Sequence, residues 1–311
     1  MSHRATDSHP LSTPAIIGLA IALMFIWGTA YTMVSVGVRT VSPIWLVSTR
    51  CIIGAVLVTL WALYRGHKFP PLRDSRWRWY GLLGFTGMVL PFWLFSKGQI
   101  TVDSGLAAII AGTMPLMTII LSHFFAHEPL SKRKAFGFFI GFCGIAMLFL
   151  PDDLSLSLIA DWRAQLLLVG AAFCYAVTTV TAKRAPDTPP SLGAAMMLIA
   201  AAIMATIAAV YSGVPSTFPP AQGLWMIAGL GIGSTAIGNI LFLYVIKRMG
   251  PSTLAKINYF PPIIAVGAGV LLLGEAFTYK IVLAFVIVVI GLIIARSGSQ
   301  GFGFKWPKSS G

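Results

Sequence analysis

Long apolar runs recur along almost the whole chain and are separated by short polar segments. Each run approaches the roughly 20 residues that an α-helix needs to cross a hydrocarbon core about 30 Å thick. The runs are continuous rather than alternating, which favours helices over barrel strands, and helices satisfy their own backbone in lipid. Ten spans are predicted, at residues 15–38, 44–64, 79–98, 104–125, 135–150, 165–181, 192–211, 224–246, 253–273 and 280–296.

The polar segments divide the chain into two five-helix units and two tails. The longest polar stretches are the tails and the loop over 65–78, so no soluble domain is predicted. The predicted units are an N-terminal tail over 1–14, a first five-helix repeat over 15–150, a connecting loop over 151–164, a second five-helix repeat over 165–296 and a C-terminal tail over 297–311.

Composition agrees with an all-α integral membrane protein. The chain is 57% hydrophobic and 10% charged, with a mean hydropathy of +0.85. A water-soluble surface does not allow so few charges, so lipid is expected to face most of the molecule. Cys51, Cys143 and Cys174 all fall within predicted spans and are interpreted as small packing residues rather than a disulfide framework.

The basic residues indicate the orientation. If both termini are cytoplasmic, 16 of the 22 Lys and Arg residues lie on the cytoplasmic side, four lie outside and two lie within spans. The positive-inside rule therefore predicts cytoplasmic termini in a bacterial inner membrane. The net charge of +13 is explained by these signals and by anionic lipid headgroups, and no nucleic-acid partner is expected because the bases are dispersed.

A weak internal repeat relates the two halves. An offset of 148 residues lays Trp77 on Trp225 and Gly81 on Gly229, and an offset of 147 lays Pro115 on Pro262. Trp27 falls on Tyr175 in the same way. Each half contains five spans, an odd number, so the second copy must enter the membrane from the opposite side. Inverted repeats of this kind permit alternating access to a site near the midplane.

Several segments resemble the drug/metabolite transporter superfamily, specifically its EamA-type ten-helix members. The similar segments are "LMFIWGTAY" (23–31), Pro43 followed by Arg50, "GLAAIIAGTMPLMTIIL" (105–121), "HEPLSKRKAFGFFIGFCGIAML" (127–148) and "LLLGEAFTYKIVLAFVIVVIGLIIA" (271–295). The resemblance implies a central cavity lined by helices 1, 3, 4, 6, 8 and 9. Within the family the chain is most similar to bacterial aromatic amino acid exporters. Tyr175 stands where helix 6 commonly repeats the tryptophan of helix 1, which leaves substrate selection open.

Polar and aromatic residues inside the spans are the candidate substrate ligands, because each is costly in lipid. Lys256 either snorkels to the cytoplasmic interface or attracts a substrate carboxylate from within the cavity. Arg50 is interpreted as a structural charge that binds helix-end carbonyls. The predicted substrate-binding residues are Trp27, Tyr31, Trp93, Ser96, Tyr175, Thr178, Asn239, Tyr244, Lys256, Asn258 and Tyr259.

Prolines and glutamates complete the set of candidate residues. Pro91, Pro115, Pro261 and Pro262 lie inside spans, where a missing amide donor bends a helix. They are predicted hinges for gating, with static packing as the alternative. Glu128 and Glu275 occupy equivalent ends of helices 4 and 9 and are assigned structural roles.

An enzymatic function is not supported by any motif. His123 and His127 precede Glu128, but the glutamate is not where a zinc-protease "HExxH" motif requires it, so neither a metal nor another cofactor is expected. The predicted function is export of amino acids, with aromatic ones favoured by resemblance. The alternatives are a carrier of a nucleotide sugar, drug or other metabolite and, more distantly, a membrane enzyme or scaffold. All nine acidic residues fall outside span interiors, which predicts a uniporter.

Overall fold

The structure is a computed structural model that describes residues 13–126, 130–149, 162–182, 184–242 and 260–296, and every regular element in these ranges is helical. Two π-helical segments, here π1 (Phe85–Val89) and π2 (Gly229–Ile237), interrupt longer helices. The α-helices are α1 (Thr13–Gly37), α2 (Pro43–Tyr64), α3 (Arg76–Gly84), α4 (Leu90–Gly98), α5 (Ser104–Ala111), α6 (Met114–Ala126), α7 (Lys132–Phe149), α8 (Trp162–Ala182), α9 (Pro190–Tyr211), α10 (Ala221–Ala228), α11 (Phe260–Leu273) and α12 (Tyr279–Arg296).

Seven helical stretches in the described ranges are long and apolar enough to cross a membrane, while Phe260–Leu273 and Tyr279–Ala295 are shorter apolar helices. Most of the spans present large apolar side chains on their outer surfaces, as lipid contact requires. The spans are Ile17–Gly37, Pro43–Tyr64, Arg76–Gly98, Ser104–Phe125, Trp162–Ala182, Pro190–Tyr211 and Ala221–Phe242.

The fourth predicted span, 104–125, is not one regular helix. It divides into α5 and α6 at Gly112 and Thr113. Pro115 has no amide hydrogen to donate to the carbonyl of Ala111, so the regular ladder cannot continue through this point. The Ile110 carbonyl accepts hydrogen bonds from both the amide of Thr113, at 3.1 Å, and its hydroxyl, at 2.6 Å, so this acceptor is satisfied within the break.

Two antiparallel helix pairs join the first half of the chain to the second. In the α2–α9 pair, the hydroxyls of Ser48 and Thr206 lie 2.9 Å apart, and Gly54 faces Leu198. In the α7–α12 pair, Gly137 contacts the backbone of Gly291 so closely that a Cβ on either glycine would collide. Small residues thus allow close backbone approach, which is how helices pack when lipid removes the hydrophobic driving force.

The remaining contacts place α1, π2 and α11 on one side of the bundle and α4, α8 and α6 on another. α4 packs on α8, α1 on α11, α2 on π2, α6 on α8, α5 on α11 and α3 on α9. The buried apolar residues form clusters at these crossings, the largest of which lies between α2, π1 and α9. The interior between them contains the polar groups described next.

Of the three cysteines, Cys51 and Cys174 are buried, as packing residues should be. Cys143 is exposed on α7, on the outer surface of the α7–α12 pair, so it does not fill an interior position.

Candidate functional site

The second π-helical segment begins in a glycine-rich stretch that lets α2 approach closely. A Cβ on Gly231 would lie 2.7 Å from Cβ of Ile53, and one on Gly54 would lie 2.5 Å from Cγ2 of Thr235. Glycines are therefore required on both sides of this crossing. π-helical segments inside α-helices occur frequently at functional sites, because they shift the ladder and change the direction of side chains.

The Arg50 side chain of α2 lies at this crossing and is 5% exposed. Its Nε donates to Oγ1 of Thr235 at 3.1 Å, and Nη2 donates to Oγ of Ser234 at 2.9 Å. The ring centroid of Phe92, on α4, lies 3.8 Å from Cζ of the guanidinium. The partners are thus two hydroxyls and an aromatic face, rather than the helix-end carbonyls that the sequence interpretation assigned to Arg50.

Among the described residues, no carboxylate forms an ion pair with Arg50. An ion pair does join Asp74 and Arg76, in the loop before α3 and at its first residue. A buried cation costs several kcal/mol in desolvation, which hydroxyls and an aromatic ring offset only in part. Charges inside membrane helices usually pair with one another or mark a ligand pathway. Arg50 therefore gives the interior a fixed positive potential.

Three aromatic rings from three helices meet beside this charge. The ring of Phe95 on α4 lies 5.7 Å from that of Tyr31 on α1 and 5.9 Å from that of Tyr175 on α8. The first contact is edge-to-face and the second is stacked, the two favourable geometries for aromatic pairs. Both phenol groups lie within electrostatic range of the Arg50 guanidinium. The structure thus brings the predicted Tyr31 and Tyr175 together.

Trp27 and Trp93 point toward other parts of the bundle. The Trp27 ring lies 5.8 Å from that of Phe242, beyond the end of π2, and its Nε1 closely approaches Gly238. Trp93 packs against the cluster between α2 and α9. The i, i+4 spacing of Trp27 and Tyr31 therefore places both side chains inside the bundle but on different partners.

The predicted polar ligands are engaged within the helices to different degrees. The Thr178 hydroxyl is 2.9 Å from that of Thr86 in π1, and the Asn239 amide donates to the Thr235 carbonyl. Ser96 is 1% exposed, and its hydroxyl has no hydrogen-bond partner within the described residues.

Six of the residues singled out in the sequence lie outside the described ranges. They are His127, Glu128, Tyr244, Lys256, Asn258 and Tyr259.

The predicted hinge prolines lie next to interruptions or helix starts. Pro91 is the second residue of α4, one residue beyond the end of π1, and Pro115 is the second residue of α6, after the break between α5 and α6. Pro261 and Pro262 are in the first turn of α11, and the Pro262 ring faces Gly112 at that break. Pro91 and Pro115 lack the amide that a regular ladder would need, so these two coincide with irregularities rather than with bends in a continuous helix. The residues directly before Phe260 lie outside the described ranges.

Glu275 binds the start of α5. Its carboxylate oxygens accept hydrogen bonds from the backbone amides of Ser104 at 2.9 Å and Gly105 at 3.1 Å. These amides are among those that a helix leaves without partners in its first turn, and the helix dipole favours a negative charge there. At the other end of the same span, the Arg184 guanidinium donates to the Phe125 carbonyl. Side chains from the second half of the chain therefore bind both ends of the α5–α6 span.

Four residues of this region are not among the sequence candidates, namely Phe92, Phe95, Ser234 and Thr235. Phe92 and Phe95 share a helical face by their i, i+3 spacing, which is a weak signal in a chain with 20 phenylalanines. Ser234 and Thr235 form the one Ser-Thr pair of the apolar run over 224–246, a signal that only the position of Arg50 makes meaningful. Within the described ranges, no three His, Cys, Asp or Glu side chains are grouped to hold a metal ion.

Known proteins are similar to this chain along nearly its full length. The EamA-like transporter family model matches twice, at residues 14–150 and 162–297. The "Uncharacterized inner membrane transporter YedA" of Escherichia coli K12 is 28% identical over 297 residues, 93% of each chain. The "Uncharacterized transporter YoaV" of Bacillus subtilis is 24% identical, covering 88% of this chain and 94% of its own.

The fold also has a solved counterpart. A chain titled "Crystal structure of protein" matches with a TM-score of 0.65 at 20% identity, covering 91% of this chain and 97% of its own. The helices, the buried polar site and the two family matches lead to one conclusion. This chain belongs to the EamA-like transporter family and is a membrane transporter.

Proposed function

We propose that the protein exports amino acids, with aromatic and other apolar ones preferred, through a central cavity between two halves. The observation that carries this proposal is the meeting of Tyr31, Phe95 and Tyr175 beside the buried Arg50. An aromatic wall next to a fixed cation suits a molecule with an apolar side chain and a carboxylate. A nucleotide sugar would need several cations for its diphosphate, and Arg50 is the one basic residue buried among those described.

The halves are proposed to be inverted five-helix repeats that give ten spans and alternating access. Support comes from the two family matches and from the positions of the π-helical segments, since an offset of 148 residues carries Phe85–Val89 into Gly229–Ile237. The helix contacts are also paired between the halves. If α1 is equivalent to α8 and α11 to α6, the α1–α11 contact corresponds to the α6–α8 contact. Likewise, the contact of α2 with π2 corresponds to the contact of α9 with α3 and π1. Such halves can exchange conformations around a fixed site.

The topology follows from this proposal and has a direct test. With both termini cytoplasmic, cysteines introduced at Arg133 and Ser157 should react with an impermeant maleimide from opposite sides of the membrane. Cys143 is exposed and is replaced by alanine first. Labelling of both positions from the same side would remove the inverted repeat.

Transport itself is tested in proteoliposomes with a panel of labelled amino acids. The wild type should transport phenylalanine, tyrosine, tryptophan or leucine faster than glutamate or lysine. Replacing Trp27, Trp93 or Tyr175 by alanine should reduce the rate, while Trp225→Ala, which removes an exposed ring, serves as the matched control. Absence of flux for every amino acid would reject the proposal, and flux of UDP-glucose would favour the nucleotide-sugar alternative.

We further propose passive, uniport flux. The acidic residues in the described ranges, Asp74, Asp103, Asp187 and Glu275, lie in loops or at helix ends, whereas proton-coupled carriers usually place a titrating group in the membrane interior. With equal substrate on both sides, an imposed pH gradient should cause no net accumulation. Accumulation that Glu275→Gln abolishes would contradict uniport.

A further inference from the structure

We propose that the Arg50 guanidinium binds the carboxylate of the transported substrate, and that it selects monocarboxylates with an apolar side chain. The proposal rests on the proposed function and assigns one of its residues a specific chemical task. It differs from the structural role that the sequence suggests, in which Arg50 would only join helices.

The guanidinium has unused donors. Of its five N–H groups, one on Nε and one on Nη2 donate to Thr235 and Ser234. Within the described residues, Nη1 has no acceptor, and the second Nη2 hydrogen has none either. Nη1 and Nη2 together form the edge that binds a carboxylate in bidentate geometry. No hydrogen bond within the described part of the chain uses that edge, which is the one that a substrate carboxylate would bind.

The existing partners orient the charge without neutralising it. Hydroxyls and an aromatic face carry no formal charge, and the Ser234 hydroxyl already donates to the Leu230 carbonyl at 3.0 Å. An arginine serving only as a connector between helices would be expected to have a carboxylate or carbonyl partner, which removes most of the cost of burial. At Arg50, the desolvation cost of the buried guanidinium would be offset when a substrate carboxylate binds.

The surroundings determine what else the ligand must contain. Phe92 covers one face of the guanidinium, and the rings of Tyr31, Phe95 and Tyr175 lie nearby. A carboxylate on Arg50 would place the attached side chain among these rings. An aromatic or aliphatic side chain gains apolar contact there, whereas a second carboxylate would be desolvated without a partner.

The corresponding position in the second half has no charge. α2 and α9 both contain 22 residues and begin with proline, which aligns Arg50 with Met197 at an offset of 147. Thr235 aligns with Gly87 at an offset of 148, and the Met197 methyl group lies against Gly87, where a Cβ would be 2.9 Å away. The pair Arg50–Thr235 thus corresponds to the apolar pair Met197–Gly87. Among the described residues, the anion site at the α2–π2 crossing therefore has no charged counterpart at the α9–π1 crossing.

The test compares two ligands of the same shape, the anionic 3-phenylpropionate and the neutral 3-phenylpropanamide, in which an NH2 group replaces one carboxylate oxygen. Binding to the purified full-length protein is measured by the rise in thermal-unfolding midpoint with ligand concentration. The wild type should bind the carboxylate on the order of tenfold to hundredfold more tightly than the amide, as charged hydrogen bonds permit. Arg50→Gln should lose this preference, while Arg163→Gln, which neutralises an exposed arginine stacked on Trp162, should retain it.

A second pair of variants leaves Arg50 in place. Thr235→Asp puts a carboxylate beside the guanidinium and should abolish binding of 3-phenylpropionate, whereas the neutral Thr235→Asn should retain the preference. If Arg50→Gln does not fold, this pair alone decides the matter. Persistence of the preference in Thr235→Asp, or its loss in Lys256→Gln rather than in Arg50→Gln, would overturn the proposal.

The two proposals fail separately. If the wild type moves no amino acid but binds 3-phenylpropionate through Arg50, the amino-acid function is wrong and the anion site stands. If amino acids are transported and Arg50→Gln keeps the full preference for the carboxylate, the amino-acid function stands and the anion site at Arg50 is wrong.

Discussion

The two π-helical segments are crossed by equivalent helices, yet the two crossings differ in chemistry. Where α2 crosses π2, Arg50 binds Ser234 and Thr235. Where α9 crosses π1, the Met197 side chain approaches Gly87, and Gly84 contacts the Met197 carbonyl. Both crossings need small residues for close approach, so the backbone arrangement does not depend on the charge.

The difference separates what the scaffold requires from what the site requires. Glycines at both crossings satisfy packing, as small residues do between membrane helices. The charge adds a desolvation cost at one crossing only, and the second crossing shows that similar geometry forms without it. A cost that the fold does not need is most simply explained by function.

The largest effect is expected from copying the charge into the second half. Met197→Arg would place a guanidinium at a half-buried position beside Gly87, where the hydroxyls of Thr86 and Thr178 are already bonded to each other, and should lower the free energy of unfolding by about 3 kcal/mol. Loss of folded protein in fluorescence-detected size exclusion would report this. The control Met197→Leu conserves volume and should cost less than about 1.5 kcal/mol. Normal folding of Met197→Arg would show that this crossing tolerates a cation and that the comparison is mistaken.

The reverse change removes the charge from the first half. Arg50→Met should reduce transport of a carboxylate substrate on the order of tenfold to hundredfold, the effect of losing a charged hydrogen bond. Stability should change by no more than about 1–2 kcal/mol, because apolar replacements of buried charges are often tolerated. Flux and unfolding midpoint are measured on the same preparation. A large fall in midpoint with normal flux would return Arg50 to a structural role.

Hydroxyl deletions at the two crossings sharpen the contrast. Thr235→Val leaves the Arg50 Nε without an acceptor and should cost about 1–3 kcal/mol. Thr178→Val breaks the neutral hydroxyl pair with Thr86 and should cost only about 0.5–1.5 kcal/mol. Chemical denaturation in detergent compares the two variants. Equal costs would mean that the charge adds nothing to the first crossing.

Much of the fold was predictable, because lipid imposes a strong pattern. Seven of the ten predicted spans overlap stretches long and apolar enough to cross a membrane. The break between α5 and α6 was not anticipated as a division of the span. Proline bends some helices and interrupts others, and the outcome depends on neighbours such as Thr113 that offer alternative hydrogen bonds.

The site was less predictable than the fold. Tyr31 was identified as an aromatic residue one helical turn from Trp27, and Tyr175 from its match to Trp27 in the repeat. The structure brings both tyrosines onto Phe95. The partners expected for Arg50, helix-end carbonyls, differ from the hydroxyls of Ser234 and Thr235 that it binds. The sequence indicates that a charged residue lies inside a span, but not which hydroxyls a π-helical segment directs toward it. Phe92 and Phe95 are indistinguishable by composition from the many lipid-facing phenylalanines.

The smallest predicted effect is on stability and concerns Glu275, whose carboxylate caps the start of α5. Glu275→Gln should lower stability by about 0.5–2 kcal/mol, because it weakens the cap at the start of α5. Asp74→Asn, on the cytoplasmic loop predicted from the sequence, provides a surface comparison, where Arg76 lowers the pKa of the Asp74 carboxyl to about 2. Because this carboxyl pKa is lowered, the solvent-accessible pair contributes its full stability above the ordinary carboxyl pKa and loses it as pH falls through about 2. An equal effect at both positions would argue against a helix-capping role for Glu275.

The central claim, an amino-acid transporter whose buried Arg50 binds the substrate carboxylate, is tested most directly by counterflow. Proteoliposomes are loaded with unlabelled phenylalanine, and entry of labelled phenylalanine is measured for the wild type, Arg50→Met and Arg163→Gln. The account predicts rapid exchange for the wild type and Arg163→Gln, and exchange slowed on the order of tenfold or more for Arg50→Met. Equal exchange in all three would contradict the role of Arg50, and no exchange by the wild type would contradict the proposed substrate.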